Sequence, residues 1–247
     1  MRIAFTQRTG GESDAPFDSL NLGDHVGDDS AHVAANRRIV LAALQASGAS
    51  LIQPNQVHGD TVVTCESRED AAACHALARK GADGVVVRAH DVAALLCFAD
   101  CVPVIIVSPA GHFAVVHAGW RGVMNRISER AIDALCIGGI EPSDLNIYIG
   151  PHIEACCFEV DEELARRFVR EFGDAAVSSH RHVDLTAALV SGFVSRGVDV
   201  ERIACAHVCT MCDSEERYYS YRRSAGRCGR HGAVAVRVSE GEGSGAS

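Results

Sequence analysis

Two histidines and one cysteine stand at the ends of predicted strands, where loops meet and sites assemble. His58 precedes a glycine turn, Cys101 lies between two apolar runs, and His117 ends another such run. Two imidazoles and one thiolate suit Zn²⁺, and three protein ligands with a fourth position left to water are typical of a catalytic zinc site. Their spacing matches no local zinc motif. The alternative is therefore that each of the three residues has its own hydrogen-bonding partners and that they share no metal.

A glycine-rich turn follows His117 and leads into a predicted helix. In Gly119-Trp120-Arg121-Gly122 the glycines would let the backbone approach a ligand closely, and the helix N-terminus would offer free N–H groups to an anion. Arg121 would add a charged fork for phosphate or carboxylate. The alternative is an ordinary turn with a surface arginine and a packed tryptophan.

Alternating aromatic residues that end in two arginines form a second candidate binding segment, Tyr218-Tyr219-Ser220-Tyr221-Arg222-Arg223. Aromatic faces and guanidinium planes suit a nucleobase or a phosphate. A core edge with solvated arginines explains the pattern equally well.

The cysteines are numerous, eleven in all. The N-terminus soon turns polar, so we expect no secretory signal and reduced thiols in the cytoplasm, mostly as small core residues. Cys205, Cys209 and Cys212 have the spacing of a radical-SAM iron–sulfur site, which is rejected because too little chain follows for the required barrel. A structural zinc that also uses His207 is a minor hypothesis, and core residues on one strand face are the alternative.

Two further groupings favour structural interpretations. Cys156 and Cys157 follow the rigid loop Gly150-Pro151-His152 and are predicted to be buried thiols, with redox activity as the alternative. His180-Arg181-His182 is one copy of the His-x-His pair that copper oxidases use several times. We therefore predict a pair of loop histidines.

Composition limits the class of protein. Apolar residues make up 47% and charged residues 22%, as in an ordinary globular chain. The net charge of −9 and the lack of a basic run argue against a nucleic-acid polymer as partner. No apolar stretch approaches the roughly 18 residues of a membrane span, so no membrane partner is expected.

The elements that must position these residues are short strands intermixed with helices. The pattern predicts one catalytic α/β domain with a mixed sheet over residues 1–238 and a flexible Gly/Ser/Glu-rich tail over 239–247. Strands are predicted at 3–5, 61–65, 84–87, 92–98, 102–107, 113–116, 145–149, 202–206 and 233–238. Helices are predicted at 30–46, 121–135, 161–172 and 186–196.

Several motifs occur in a fixed order along the chain, and together they resemble a known family. They are Asn55-Gln56-Val57-His58-Gly59, Ala99-Asp100-Cys101-Val102-Pro103-Val104, His117-Ala118-Gly119-Trp120-Arg121-Gly122, Ile149-Gly150-Pro151-His152-Ile153, Cys157-Phe158-Glu159-Val160, Cys209-Thr210 and Tyr219-Ser220-Tyr221-Arg222-Arg223. The N-terminal segments Phe5-Thr6-Gln7-Arg8-Thr9-Gly10-Gly11-Glu12-Ser13 and Ser19-Leu20-Asn21-Leu22-Gly23 belong to the same set. The set resembles the bacterial laccase-domain family, first named for a multicopper polyphenol oxidase and now described as zinc-dependent purine nucleoside phosphorylases of the peptidoglycan editing factor type. The resemblance covers roughly residues 3–238.

The resemblance implies a mixed-sheet α/β sandwich, similar to cysteine-hydrolase folds, with zinc on His58, Cys101 and His117. Copper is the alternative metal, and no organic cofactor is expected. It implies phosphorolysis of adenosine, inosine, guanosine and methylthioadenosine to base and pentose 1-phosphate, and deamination of adenosine. The chain departs from the family pattern at Gln7, where threonine is frequent, and at Cys156, where a small residue is common. Neither departure touches the zinc ligands.

The resemblance also suggests roles for substrate residues, in a monomer or a homodimer. Phosphate would sit near Arg8 or Arg121, and the base would lie against the segment containing Tyr219, Tyr221 and Arg222. Asp100 has three open roles, namely a proton shuttle, a partner of a metal ligand or a structural cap.

Three other functions remain open at the level of sequence. Cys101 as nucleophile with His117 as base would make a metal-independent cysteine amidase that edits cell-wall precursors. A copper polyphenol oxidase is disfavoured by the shortage of His-x-His pairs. A zinc-stabilised binding protein is the non-catalytic alternative. The sequence does not specify the preferred nucleoside, the physiological role, the metal occupied in the cell or the oligomeric state.

Overall fold

Two β-sheets packed face to face form the centre of the molecule. The computed structural model describes residues 1–179 and 181–239, which form twelve strands and six α-helices. The larger sheet has the order β11-β8-β6-β7-β4-β3 and mixes parallel and antiparallel pairs. Its strands are β3 (Val62–Cys65), β4 (Gly84–Val87), β6 (Val102–Val107), β7 (Phe113–Ala118), β8 (Asn146–Ile149) and β11 (Ile203–Cys205).

The smaller sheet has the order β1-β12-β5-β2. Its strands are β1 (Arg2–Phe5), β2 (Ser50–Ile52), β5 (Val92–Phe98) and β12 (His231–Val236). β9 (Val177–Ser179) and β10 (His182–Val183) pair separately as a short antiparallel ribbon. β5 lies in the smaller sheet and β6 in the larger one, so the chain crosses from one sheet to the other over residues 99–101.

Strand β5 shows how the layers are built, because every one of its residues is buried. Alternate side chains point to opposite faces of a strand. Leu96 and Phe98 therefore join the core between the sheets, whereas Leu95 and Cys97 pack on the outer side with Val40 of the first helix. A strand covered on both faces reads as a continuous apolar run, as this one does.

Helices cover the outer face of each sheet. The helices are α1 (Ser30–Ala43), α2 (Ala71–Ala78), α3 (Trp120–Met124), α4 (Ile127–Cys136), α5 (Glu162–Phe172) and α6 (Leu185–Ser195). Apolar residues of α4, α5 and α6 form one core with the larger sheet, and α1 packs on the smaller sheet. The predicted mixed-sheet α/β sandwich is confirmed.

The predicted strands over 84–87, 92–98 and 102–107 are confirmed residue for residue. The single predicted helix over 121–135 is wrong, because Arg126 adopts a left-handed conformation (φ 61°) and separates α3 from α4. The Arg126 guanidinium packs over the ring of Phe172, with 4.1 Å between Cζ and the ring centroid. Helix α2 was not predicted, since only Ala71 and Ala78 of it are buried and no apolar stripe marks it.

No helix among the described residues is long and apolar enough to cross a membrane. Of the predicted tail, Ser239 donates its backbone N–H to the Asp91 carboxylate over 3.0 Å. Residues 240–247 lie outside the described part of the chain.

Candidate metal centre and active-site cavity

The three predicted metal ligands come together where the chain passes between the sheets. β6 and β7 are antiparallel with Val102 opposite Ala118, so the start of β6 lies beside the end of β7. This register brings Cys101 next to His117. The His117 side chain is on the face of β7 that looks toward the smaller sheet, with its ring centroid 5.4 Å from that of Phe98.

Asp83 holds the third ligand in place. Its carboxylate accepts hydrogen bonds from the backbone N–H groups of Val57 (3.1 Å), His58 (3.0 Å) and Gly59 (2.8 Å). His58 itself has a left-handed backbone (φ 57°), a conformation that persists in a protein only when the surroundings enforce it. The three hydrogen bonds to Asp83 stabilise this backbone conformation. In it, the His58 ring lies against His117, with 4.8 Å between the ring centroids.

Asp83 also fixes the orientation of His117. The Asp83 carboxylate lies 2.7 Å from Nδ1 of His117, and Asp83 is completely buried. A metal-binding histidine commonly donates its second ring N–H to a carboxylate, which fixes the ring and makes the other nitrogen a better ligand. Nε2 of His117 is therefore the nitrogen that faces Cys101.

Sequence reasoning missed Asp83. The available signal was an aspartate that directly precedes Gly84, the first residue of the fully buried strand β4. Finding it required knowing that β4 pairs with β7 in the register that places Gly84 opposite Val116.

Cys101 and His117 form a charge-coupled pair in the metal-free protein. Burial raises the pKa of the Cys101 thiol, but the positive charge of His117 and hydrogen bonds from His117 and His58 outweigh it and lower the pKa to about 6. Burial lowers the pKa of His117, whereas the Cys101 thiolate and Asp83 raise it to about 9. Between these values the pair is a thiolate and an imidazolium.

Gly119 is required by this arrangement. A Cβ atom at this position would lie 3.0 Å from Sγ of Cys101 and 3.3 Å from Cδ2 of His58. The glycine of the turn therefore makes room for the ligands themselves. Arg121 of the same turn is exposed and stacks on Trp120, with 4.4 Å between its Cζ and the ring centroid.

The donor set fits a metal ion with an open coordination position. One ligand atom each of His58, Cys101 and His117 lies within 4.8 Å of the others. The three side chains also line a cavity, so a fourth position would face a bound molecule. A soft thiolate with two imidazoles suits zinc, and the Asp83 support is the outer interaction that such sites use.

Asp100 lines the cavity, but its carboxylate is already engaged. Oδ1 accepts from the Thr210 hydroxyl over 2.6 Å, and Oδ2 accepts from the Arg222 backbone N–H over 2.7 Å. Its carbonyl oxygen accepts from the Ile153 N–H over 3.0 Å. The carboxylate that contacts the His117 ring is that of Asp83, and Asp100 instead ties two neighbouring loops to the Cys101 turn.

The cavity above these residues has a volume of about 350 Å³, which is within the usual range for small-molecule sites. Its walls combine aromatic, aliphatic and cationic side chains. The Arg222 guanidinium lies 5.8 Å from the Phe158 ring centroid, and that of Arg230 lies 5.7 Å from the Tyr221 centroid. The lining residues are His25, Gln56, His58, Cys97, Ala99, Asp100, Cys101, His117, Ile153, Phe158, Tyr221, Arg222 and Arg230.

Comparison with known proteins identifies the family. The family model described as multi-copper polyphenol oxidoreductase laccase matches residues 2–238. The chain belongs to this family. The resemblance drawn from the sequence motifs is therefore confirmed.

Similar proteins with names or structures cover nearly the whole chain. The purine nucleoside phosphorylase YlmD of Geobacillus stearothermophilus is 35% identical over 91% of this chain and 86% of its own length. The adenosine deaminase RL5, from an unknown prokaryotic organism, is 31% identical over 87% of this chain and 85% of its own. The crystal structure of the Geobacillus YlmD superposes with a TM-score of 0.85 at 32% identity, covering 96% of this chain and 92% of that one.

The structure brings some of the predicted substrate residues of this laccase-family chain to the cavity and not others. Tyr221 and Arg222 line it. Tyr219 is buried and donates its hydroxyl to the Phe17 carbonyl over 2.5 Å. Arg8 pairs with Asp18 over 2.9 Å and stacks over the Tyr219 ring. Neither these two residues nor Arg121 is among the lining residues of the cavity.

The remaining lining residues were missed at the level of sequence. Gln56 lay inside a recognised motif, and its side-chain amide pairs with the N–H and the carbonyl of Cys97 over 2.8 Å, beyond the point where β2 stops pairing with β5. Phe158 lay inside a recognised motif, Cys157-Phe158-Glu159-Val160, but was given no role in the site. His25 and Arg230 lie in irregular segments, and no local pattern marked them.

The expectations for the other cysteines need correction. Only four of the eleven cysteines are buried, namely Cys65, Cys97, Cys209 and Cys228. Cys156 is exposed and Cys157 half-buried, so the prediction of two buried thiols is wrong. Cys205 and Cys209 do not share a strand face, because β11 ends at Cys205 and His207 turns the backbone with φ 50°.

Of the predicted loop histidines, His182 begins the short strand β10. His180 lies outside the described residues.

Proposed function

We propose that the chain is a zinc-dependent purine nucleoside phosphorylase that also deaminates adenosine. The observation that carries the proposal is the set of His58, Cys101 and His117 at the wall of a cavity lined by aromatic and cationic side chains. Relatives named purine nucleoside phosphorylase and adenosine deaminase, similar over most of their length, support the same conclusion.

His58, Cys101 and His117 would hold the zinc ion. When bound, zinc supplies Lewis-acid chemistry, which polarises a substrate atom or acidifies a water molecule. Asp83 keeps Nδ1 of His117 occupied, so that the opposite nitrogen stays directed at the metal position. The same carboxylate fixes the His58 loop through three backbone donors.

The cavity walls offer separate partners to the two halves of the substrate pair. Phe158 and Tyr221 line the cavity, and aromatic rings suit a purine. The guanidinium groups of Arg222 and Arg230 suit phosphate, because a guanidinium is a fork of donors with a permanent charge. We therefore propose that phosphate binds at Arg222 and Arg230, and not at Arg8 or Arg121, which do not line the cavity.

Phosphorolysis and deamination are each a substitution at one carbon atom of the nucleoside. In phosphorolysis a phosphate oxygen bonds to C1′ of the ribose while the C1′–N9 bond breaks, and the electron pair stays on the purine, which takes up a proton. The products are free base and ribose 1-phosphate. In deamination a water oxygen adds at C6 and the amino group leaves as ammonia, giving inosine.

Asp100 acts in this proposal as a positioning residue. Because its carboxylate accepts from Thr210 and from the Arg222 backbone, it holds Arg222 at the cavity wall directly beside Cys101. This assigns to Asp100 the structural role among the three that the sequence left open.

Product analysis tests the proposal. Zinc-loaded protein is incubated with adenosine with and without phosphate, and the products are separated by chromatography. We expect adenine and ribose 1-phosphate only with phosphate, and inosine in both conditions. Cys101→Ala should lose all products, whereas Cys136→Ala, a control in α4 away from the cavity, should keep them. No turnover in either condition would overturn the proposal.

A second candidate function rests on one specific observation. Cys101, His117 and Asp83 form a connected thiolate–imidazole–carboxylate arrangement, which is how a nucleophilic cysteine is activated without metal. This arrangement would suit a cysteine amidase acting on cell-wall precursors. Hydrolysis of such amides that survives exhaustive chelation would favour it over the phosphorylase, and loss of all activity on chelation would exclude it.

A further inference from the structure

Four cysteines outside the cavity converge on one point. The Sγ atoms of Cys156, Cys157, Cys209 and Cys212 all lie within 4.8 Å of one another, and those of Cys156 and Cys212 are 3.6 Å apart. Thiolates around a tetrahedral zinc at about 2.3 Å stand roughly 3.8 Å from each other. The spacing therefore suits one ion, because two or more irons would push the cysteines of an iron–sulfur cluster farther apart.

The Cys209–Cys212 loop has the residue spacing of a metal-binding turn. Cys209 and Cys212 are separated by two residues, a spacing common among zinc ligands. The Glu154 backbone N–H donates to Sγ of Cys209 over 3.5 Å. A backbone donor on a cysteine sulfur favours the thiolate, which is the form that binds a metal.

Backbone pairing joins the two loops that supply the cysteines. His152 and Cys209 form a parallel bridge. The Thr210 N–H donates to the His152 carbonyl over 2.9 Å, and the His152 N–H donates to the Val208 carbonyl over 3.2 Å. The approach of the four sulfurs is therefore set by main-chain hydrogen bonds on both sides.

Arg223 supplies positive charge beside the cluster. Its guanidinium donates to the carbonyl oxygens of Thr210 (3.0 Å) and Met211 (3.2 Å), the two residues between the cysteines of the turn. Four thiolates around a divalent ion leave a net negative charge, and an adjacent guanidinium offsets it.

We propose that these four cysteines form a second metal site, which holds one structural zinc ion. All four positions would be filled by protein sulfur, as in structural zinc sites, whereas the three-ligand site keeps a position open. Thr210, inside the Cys209–Cys212 turn, donates its hydroxyl to Asp100 next to Cys101. The second ion would thus fix the Cys209–Cys212 loop, whose Thr210 positions Asp100 at the cavity wall.

Metal content of the full-length protein tests the site separately from activity. Protein purified under reducing conditions is assayed for zinc, iron and copper per chain. We expect two zinc ions in the wild type, one in Cys101→Ala, one in the double variant Cys209→Ser/Cys212→Ser, and two in the control Cys136→Ser. One zinc in the wild type and none in Cys101→Ala would overturn the proposal, and iron at the four cysteines would overturn the choice of metal.

Cobalt substitution covers the case in which the double variant fails to fold. Cys101→Ala refilled with Co²⁺ should bind one ion per chain and show the thiolate charge-transfer and tetrahedral ligand-field absorption of four sulfur ligands. A Co²⁺ spectrum without sulfur charge transfer, or a Cys156–Cys212 disulfide found by mass spectrometry in the reduced preparation, would overturn the proposal. Because these measurements follow the metal alone, failure of the nucleoside proposal leaves them unaffected.

Discussion

The molecule gathers sulfur ligands at two places, and they differ in what surrounds the sulfur. At the cavity a single thiol, Cys101, meets two imidazoles, and the buried carboxylate of Asp83 orients one of them. At the second place four thiols meet, the Glu154 backbone N–H donates to one of the sulfurs, and none of the four cysteines lines the cavity. As the proposed metal sites, the first set would leave a coordination position for a substrate, whereas the second would fill all four positions with protein sulfur.

The number of protein ligands and the access of solvent distinguish a catalytic metal site from a structural one. A metal can act on a substrate only where the protein leaves a coordination position open to it. The two places are nevertheless connected, because Thr210 of the cysteine-rich turn donates to Asp100 at the cavity. A substitution in the four-cysteine cluster should therefore affect the cavity only by shifting Asp100 and its neighbours, and the effect on activity should be small.

The largest expected contrast is between one ligand removed from each place. Cys101→Ala should lower kcat/KM for adenosine phosphorolysis by more than about 100-fold, since losing an outer partner of a metal ligand alone costs roughly 10- to 100-fold. Its Tm should fall only modestly, because the variant loses the stabilisation by the bound ion but keeps both sheets intact. Cys212→Ser should instead lower the Tm and change kcat/KM only a few-fold. Activity assays and thermal unfolding on the same zinc-replete samples check this. A large loss of activity in Cys212→Ser with none in Cys101→Ala would contradict the two assigned roles.

Removing the carboxylate behind His117 gives the next effect. Asp83→Asn keeps the size of the side chain but no longer stabilises the ring orientation by charge, so zinc affinity at the cavity and kcat/KM should fall by about 10- to 100-fold. Competition with a chelator measures the affinity. Asp91→Asn, at the surface near the C-terminal segment, is the matched control and should leave both quantities unchanged.

The pH dependence of Cys101 reactivity follows from its lowered pKa. In metal-free protein the rate of alkylation of this thiol should be half-maximal near pH 6 and fall about tenfold per unit below it. The pair contributes stability that is lost as the pH falls through about 6, where Cys101 protonates, and as it rises through about 9, where His117 deprotonates. Asp83→Asn should move the alkylation midpoint upward. A midpoint near 9 in the wild type would contradict the pairing.

Two arginines test which cation binds phosphate. Arg222→Met should raise the KM for phosphate roughly tenfold or more, because a charge-assisted hydrogen bond contributes about 1.5–3 kcal/mol. Arg121→Met should change it little, since Arg121 stacks on Trp120 outside the cavity lining. Initial rates at varied phosphate measure both. An effect at Arg121 with none at Arg222 would return the phosphate to the glycine-rich turn.

The smallest expected effect lies on the connection between the two places. Thr210→Val removes the hydroxyl that donates to Asp100 and should lower kcat/KM by roughly two- to tenfold, in line with about 0.5–1.5 kcal/mol for one hydrogen bond. Thr210→Ser, which keeps the donor, should restore most of the activity. Equal loss in both variants would show that packing of the methyl group, not the hydrogen bond, matters.

Sequence reasoning found the parts of the site that carry their own chemistry. His58, Cys101 and His117 were identified by residue type and by position at strand ends, and the buried strands by unbroken apolar runs. Asp83 was missed because its importance lies in the register of β4 against β7.

The four-cysteine cluster was missed for a similar reason. Its pairs come from segments more than fifty residues apart, and the backbone pairing around His152 and Cys209 brings them together. Arg8, Arg121 and Tyr219 had suitable side chains, but their partners Asp18, Trp120 and Phe17 hold them elsewhere.

The most direct test of the central claim is zinc add-back to metal-depleted protein while phosphate-dependent adenine formation from adenosine is followed. We predict negligible turnover without metal, a rise that saturates once the site of His58, Cys101 and His117 is filled, and no rise in Cys101→Ala. Undiminished turnover in the metal-depleted wild type, or equal restoration in Cys101→Ala, would contradict the account.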